Sequence, residues 1–163
     1  LLEILLAEHG QVRLDHVEQL GHHGGDPFEL TTARPLDFGH WSAHKLEQIT
    51  DFELAHGEAV AIGLIIDLTY AALKGRLDES VLRATRRCLV DLGFTLDHPA
   101  LEDHEALLEG LWEFREHLGG RLTITFIEAV GRPVDVHEID LPTMRQALVE
   151  VRRASVNESS RAG

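Results

Sequence analysis

At 163 residues and 44% apolar, the chain is long enough for one globular domain with a buried core. Its formal net charge of −13 argues against a nucleic-acid partner, because phosphate contacts need a basic face. The lone cysteine, Cys88, excludes an intrachain disulfide and fits a reducing cytoplasm, and the apolar run AVAIGLII falls short of the ~20 residues that span a bilayer, so no membrane partner is expected.

Residues 1–8 and 11–20 carry apolar side chains at helical spacing. The chain opens in what reads as mid-helix, without an initiating methionine, and is taken as part of a longer protein. GHHGGDPFELTTARP follows, a glycine- and proline-bearing loop. Its His22 and His23 read as solvated, since adjacent side chains diverge. Arg34 closes the loop. A guanidinium there is either an anion clamp or a surface charge.

A helix is expected up to residue 49, with Asp37 as its cap or as a group facing a ligand. It carries His40 and His44, four apart and so on one face. Lys45, with Glu47 or Gln48 nearby, reads as part of a solvated face. A second helix, from about 55 to 73, presents His56 from its first turn. Two antiparallel helices bring the three imidazoles toward one point, and neutral imidazole is the commonest ligand of zinc and related ions. Gly39 and Gly57 beside two of these histidines imply close approach of backbone or ligand. Glu58 either favours the helix N-terminus through the dipole or orients a ligating imidazole. Val60, Ile62, Leu64, Ile65 and Leu68 make this second helix apolar nearly all round, the pattern of a buried central element.

Asp78 is expected to cap a helix over 79–92, with Cys88 in its packing face and Arg83, Arg86 and Arg87 on a solvated basic face. Another helix is predicted over 103–118. Residues 122–126 and 134–139 read as a short hairpin, and Asp140 caps a last helix over 141–152 with Pro142 in its first turn. A helical domain carrying the candidate metal-binding histidines is thus expected over 1–155, with a flexible tail over 156–163. No glycine-rich dinucleotide fingerprint lies in these residues.

The blocks LDFGHWSAHKLE and HGEAVAIG, and the distance between them, resemble the 3-dehydroquinate synthases and the wider sugar phosphate cyclases. The fold this implies is mainly α, the multi-helical C-terminal domain of a dehydroquinate-synthase-like enzyme with one small β-hairpin. The resemblance also implies zinc, or another divalent ion such as cobalt, held by His40 and His56. It places His44 beside a phosphorylated sugar, not among the ligands. It puts the nucleotide-binding domain that holds NAD, and a third, glutamate ligand, upstream of this chain.

Arg34 stands one place from the family's arginine, and Asp37 replaces its asparagine. Trp41 and Ala43 also depart from its pattern. Arg115 falls near the first of the family's substrate-contacting lysines. Arg115 and His117 are therefore candidate substrate contacts, or simply a polar helix end favourable to the dipole. Dimers are common among relatives of this fold, so a homodimer is the expected assembly. A reading from another class stays open: a helical metal-binding module, or an inactive cyclase relative without catalysis.

Overall fold

The computed structural model describes residues 37–117 and 122–159. The helices expected over 1–20, the loop with His22 and His23, and Arg34 lie outside the described residues. The described elements are α1 (His40–Ile49), α2 (His56–Leu73), α3 (Glu79–Asp91), a 3₁₀ turn (Pro99–Glu102), α4 (His104–His117), β1 (Ile124–Ala129), β2 (Arg132–Val136) and α5 (Leu141–Ser159). Among the described residues the chain adopts the expected mainly α fold with one antiparallel hairpin.

Helix α2 is the hub. It packs against α1, α3, α5 and β1, while α1 is also covered by α4. Ile62, Ile65, Ile66 and Leu68 are fully buried on it. Burying each aliphatic chain of this size contributes roughly 1.5–3 kcal/mol. By length and composition α2 would cross a bilayer, but 78% of it is buried inside the fold, as befits a core helix. Near its C-terminus Tyr70 stacks on Phe126 of β1 at 5.2 Å, and its hydroxyl accepts the Asp140 N–H at 3.1 Å. The hairpin and the start of α5 are thereby fixed to the hub.

The α1–α2 crossing depends on glycine. A Cβ on Gly63 would lie 2.1 Å from the Gly39 carbonyl oxygen, and one on Gly39 would lie 2.7 Å from the Leu64 nitrogen. Gly39 also takes φ +81°, which L side chains adopt at a cost. The close approach expected at Gly39 is thus to the backbone of α2. Gly39, not Asp37, is the N-cap of α1, and no side chain caps this end. The expected Asp37 cap is corrected for this reason: the chain enters the helix through a left-handed residue pressed on α2, and the Gly39 N–H donates instead to Asp67 Oδ2 at 2.9 Å.

Other expectations are sharpened or overturned. Asp78 and Asp140 cap α3 and α5 as anticipated, accepting from Ser80 N at 2.7 Å and Thr143 N at 3.2 Å. Arg86 is not on a solvated face. It is buried and donates to Ser155 Oγ at 2.8 Å, tying α3 to α5. Cys88 is half-buried. Helix α5 continues past Arg152 to Ser159, because Val151 and Ser155 still face the core and Ser155 Oγ donates to the Leu96 carbonyl at 2.7 Å. The second strand begins at Arg132 and ends at Val136, earlier than expected, because the register pairs Ile124 with Val136.

Candidate metal centre

Helix α1 presents His40, His44 and Glu47 along one side, since three-, four- and seven-residue spacings share a helical face. The other side of α1 is fixed by burial. Trp41 inserts into the core, and its Nε1–H donates to Asp67 Oδ1 at 2.8 Å. Asp67 lies fully buried in the middle of α2 and so accepts from both Gly39 and Trp41. Burial pushes its carboxyl up to about 7, with the Trp41 and Gly39 hydrogen bonds pulling the other way. Lys45 is likewise buried, a correction to its expected solvated position. Its Nζ donates to Glu113 Oε1 at 2.6 Å and lies 3.7 Å from Glu109 on α4. A Cβ on Gly110 would press on the Lys45 stem at 2.8 Å, so α4 lies close over α1.

The turn from α1 to α2 delivers His56. Thr50 Oγ1 donates to the Leu46 carbonyl at 2.8 Å and accepts from Leu54 N at 3.4 Å. Asp51 and Phe52 then take φ +51° and +61°, left-handed values that cost about 1 kcal/mol or more each for non-glycine residues. The Phe52 N–H closes the turn on the Glu47 carbonyl at 2.7 Å, leaving the Phe52 ring 71% exposed. The chain reverses within a few residues, and α2 starts at His56.

The three imidazoles meet. Ring centroids are 5.7 Å apart for His40 and His44, 5.4 Å for His40 and His56, and 6.0 Å for His44 and His56. His44, Glu47 and His56 each bring one donor atom within 4.8 Å of the others. Glu47, expected on a solvated face, is the residue that sequence reasoning missed. Its side chain is only 15% exposed, and Oε1 accepts from His56 Nδ1 at 3.0 Å. His40 directs its Nδ1 at the Phe38 carbonyl, 3.3 Å away. Glu58 lies in the first turn of α2, half-buried, where its charge favours the helix N-terminus.

The remaining candidates stand elsewhere or are not described. Asp37 is half-buried just before α1. Arg115 lies on α4 with its guanidinium 5.3 Å from the Trp112 ring centre and 3.0 Å from Glu116. It lines a groove of about 530 Å³ with Trp112, Leu122 and His137. Its Nε is buried without a hydrogen-bond partner among the described residues. His117 is the last residue of α4, and its side chain lies outside the described residues.

Three imidazoles and a carboxylate on one half-open surface have the donor chemistry of a divalent-cation site in a helical domain. The chain belongs to the family described as 3-dehydroquinate synthase C-terminal, which matches residues 1–113. Among its relatives, 2-epi-valiolone synthase of Actinosynnema mirum is 29% identical over 136 residues, 79% of this chain and 35% of that protein. The 3-dehydroquinate synthase of Leuconostoc citreum is 34% identical over 111 residues, 66% of this chain and 30% of that protein. The fold is similar to that of ValA, the 2-epi-5-epi-valiolone synthase from Streptomyces hygroscopicus subsp. jinggangensis 5008, whose structure has NAD+ and Zn2+ bound. The TM-score is 0.71 at 24% identity, over 83% of this chain and 37% of that one. The chain spans about a third of the length of these relatives.

Proposed function

We propose that the chain is the metal- and substrate-binding C-terminal part of a 3-dehydroquinate-synthase-like sugar phosphate cyclase. The reaction is NAD-dependent cyclisation of a phosphorylated keto-sugar or keto-sugar acid with elimination of phosphate. The observation that carries this reading is the convergence of His40, His44 and His56 from α1 and the start of α2, rings 5.4–6.0 Å apart. Membership of the family supports it. So do the NAD+ and Zn2+ bound to ValA.

His40 and His56 would hold the divalent ion, zinc or cobalt. Both rings are turned with Nδ1 toward an oxygen acceptor, as ligating imidazoles are. When bound, the metal supplies Lewis acidity to a neighbouring hydroxyl or carbonyl oxygen. His44, more exposed and beside both ligands, has the residue chemistry to carry a proton at the substrate or bind its phosphate. Asp37, just before α1, belongs to the substrate side in this reading, and Arg34 is kept with it as a candidate anion contact from the sequence alone. Arg115 and His117 supply polar groups at the end of α4. NAD would be held mainly by a nucleotide-binding domain outside these residues.

The test is direct. The full-length protein, supplied with NAD and zinc, is assayed against phosphorylated seven-carbon sugars for phosphate release. Release that depends on both additions and is lost in His56→Ala bears the proposal out. Zinc binding without turnover on any such substrate favours the second reading, a metal-binding module or inactive relative. Within the chain, His56→Ala should weaken zinc binding far more than His22→Ala, and equal effects would overturn the site.

A further inference from the structure

We infer that Glu47 is the positioning residue that fixes the tautomer of His56 and so selects the nitrogen it offers to a metal. The inference rests on the metal-site reading above. Glu47 stands on α1 three residues after His44 and seven after His40, on the histidine face. It reaches across the turn to a residue of the next helix, with Oε1 3.0 Å from His56 Nδ1. An ionised carboxylate only accepts hydrogen bonds. The His56 proton therefore sits on Nδ1, and the lone pair of the ring is on Nε2.

This reverses the preference of an unconstrained imidazole, which carries its proton mainly on Nε2. The Phe38 carbonyl imposes the same choice on His40 at 3.3 Å, since a carbonyl also only accepts. Two rings from different helices are thus set alike by unrelated acceptors, one backbone and one side chain. Glu47 is well suited to the task. Its side chain is 15% exposed against 39% for His56, so solvent competes weakly for its oxygen. Its backbone carbonyl is also held, by the Phe52 N–H that closes the turn. The carboxylate and the imidazole are therefore set by one piece of backbone. Outer carboxylates on ligating histidines typically matter by 10–100-fold in metal affinity.

The experiment uses the full chain, ¹⁵N-labelled and metal-free, above the ordinary imidazole titration range. Long-range ¹H–¹⁵N correlation spectra report the tautomer of each histidine, and zinc competition against a chromophoric chelator reports affinity. Wild type and Glu47→Gln are expected to show His56 protonated on Nδ1, because the glutamine oxygen still accepts. Glu47→Ala is expected to shift His56 toward Nε2 protonation and to weaken zinc binding by about 10–100-fold, with Glu47→Gln weakened less. An unchanged tautomer and affinity in Glu47→Ala would overturn the inference. So would a Glu47→Gln chain that keeps the tautomer yet loses zinc as fully as Glu47→Ala, for then the carboxylate is itself a ligand. If wild type binds no zinc, the metal reading fails and this inference with it. Zinc binding that ignores Glu47 removes the positioning role alone.

Discussion

Asp67 shows how a single residue holds the site from behind. It is a carboxylate in the centre of the core helix, with both oxygens accepting from the first turn of the histidine helix. Its carboxyl is raised by burial from 3.8 to about 7. A carboxyl with a higher pKa folded than unfolded gives its full stabilisation below the unfolded value. That contribution is lost as pH rises through the folded one. Wild type should therefore lose stability relative to Asp67→Asn between about pH 4 and pH 7, and the difference should level off above that. Urea unfolding of both proteins across this range measures it, and a flat difference would contradict the assignment. Asp67→Asn should also be less stable at low pH by about 1–3 kcal/mol, since its amide turns a donor toward Trp41 or Gly39. The histidines were legible because their spacing is itself a geometric statement. Asp67 was not, although a lone charge inside an apolar-all-round helix is a signal that a buried partner exists. Glu47 and Lys45 escaped because a charged residue's neighbours in sequence do not reveal which face a third helix covers.

At the scale of elements, the α1–α2 pair behaves as one unit. The helices touch backbone to backbone at Gly39 and Gly63. Gly63→Ala puts a methyl into the Gly39 carbonyl, and a backbone atom in a packed core yields poorly. The expected cost is about 1–3 kcal/mol, a fall in thermal midpoint of roughly 2–4 °C per kcal/mol for a chain of this size. Because the clash displaces the start of α1, zinc affinity should fall with stability. Calorimetry and zinc titration of Gly63→Ala together check this, and a variant as stable and as tight as wild type would contradict the packing. Element existence was readable nearly throughout from apolar periodicity and from Asp78 and Asp140 as caps. The ends were less so. The start of α1 follows a tertiary contact to Asp67 that overrides the local capping signal of Asp37. The far end of α5 is prolonged by Val151 and Ser155, whose burial depends on the segment around Leu96.

On the scale of the molecule, the architecture is one core helix wrapped by the others, with the histidine surface at its N-terminal end and the hairpin toward its C-terminal end. This separates the two jobs of α2. The apolar middle stabilises the fold, and the first turn presents His56 with Glu58 beside it. Substitutions at His44 or His56 should thus leave the unfolding midpoint nearly unchanged while altering metal binding, because both rings stand at the surface or half-exposed. Matched calorimetry and zinc titrations of His44→Ala and His56→Ala check that separation. The family, by contrast, was legible from two short blocks alone, because LDFGHWSAHKLE and HGEAVAIG agree with its pattern in both identity and distance.

Zinc K-edge absorption on the zinc-loaded chain reads the central claim most directly, since it counts the imidazoles bound to the ion. The account predicts at least two imidazole nitrogens at about 2.0–2.1 Å, one of them lost in His56→Ala. A shell of oxygen scatterers only, or one unchanged by that substitution, would contradict it.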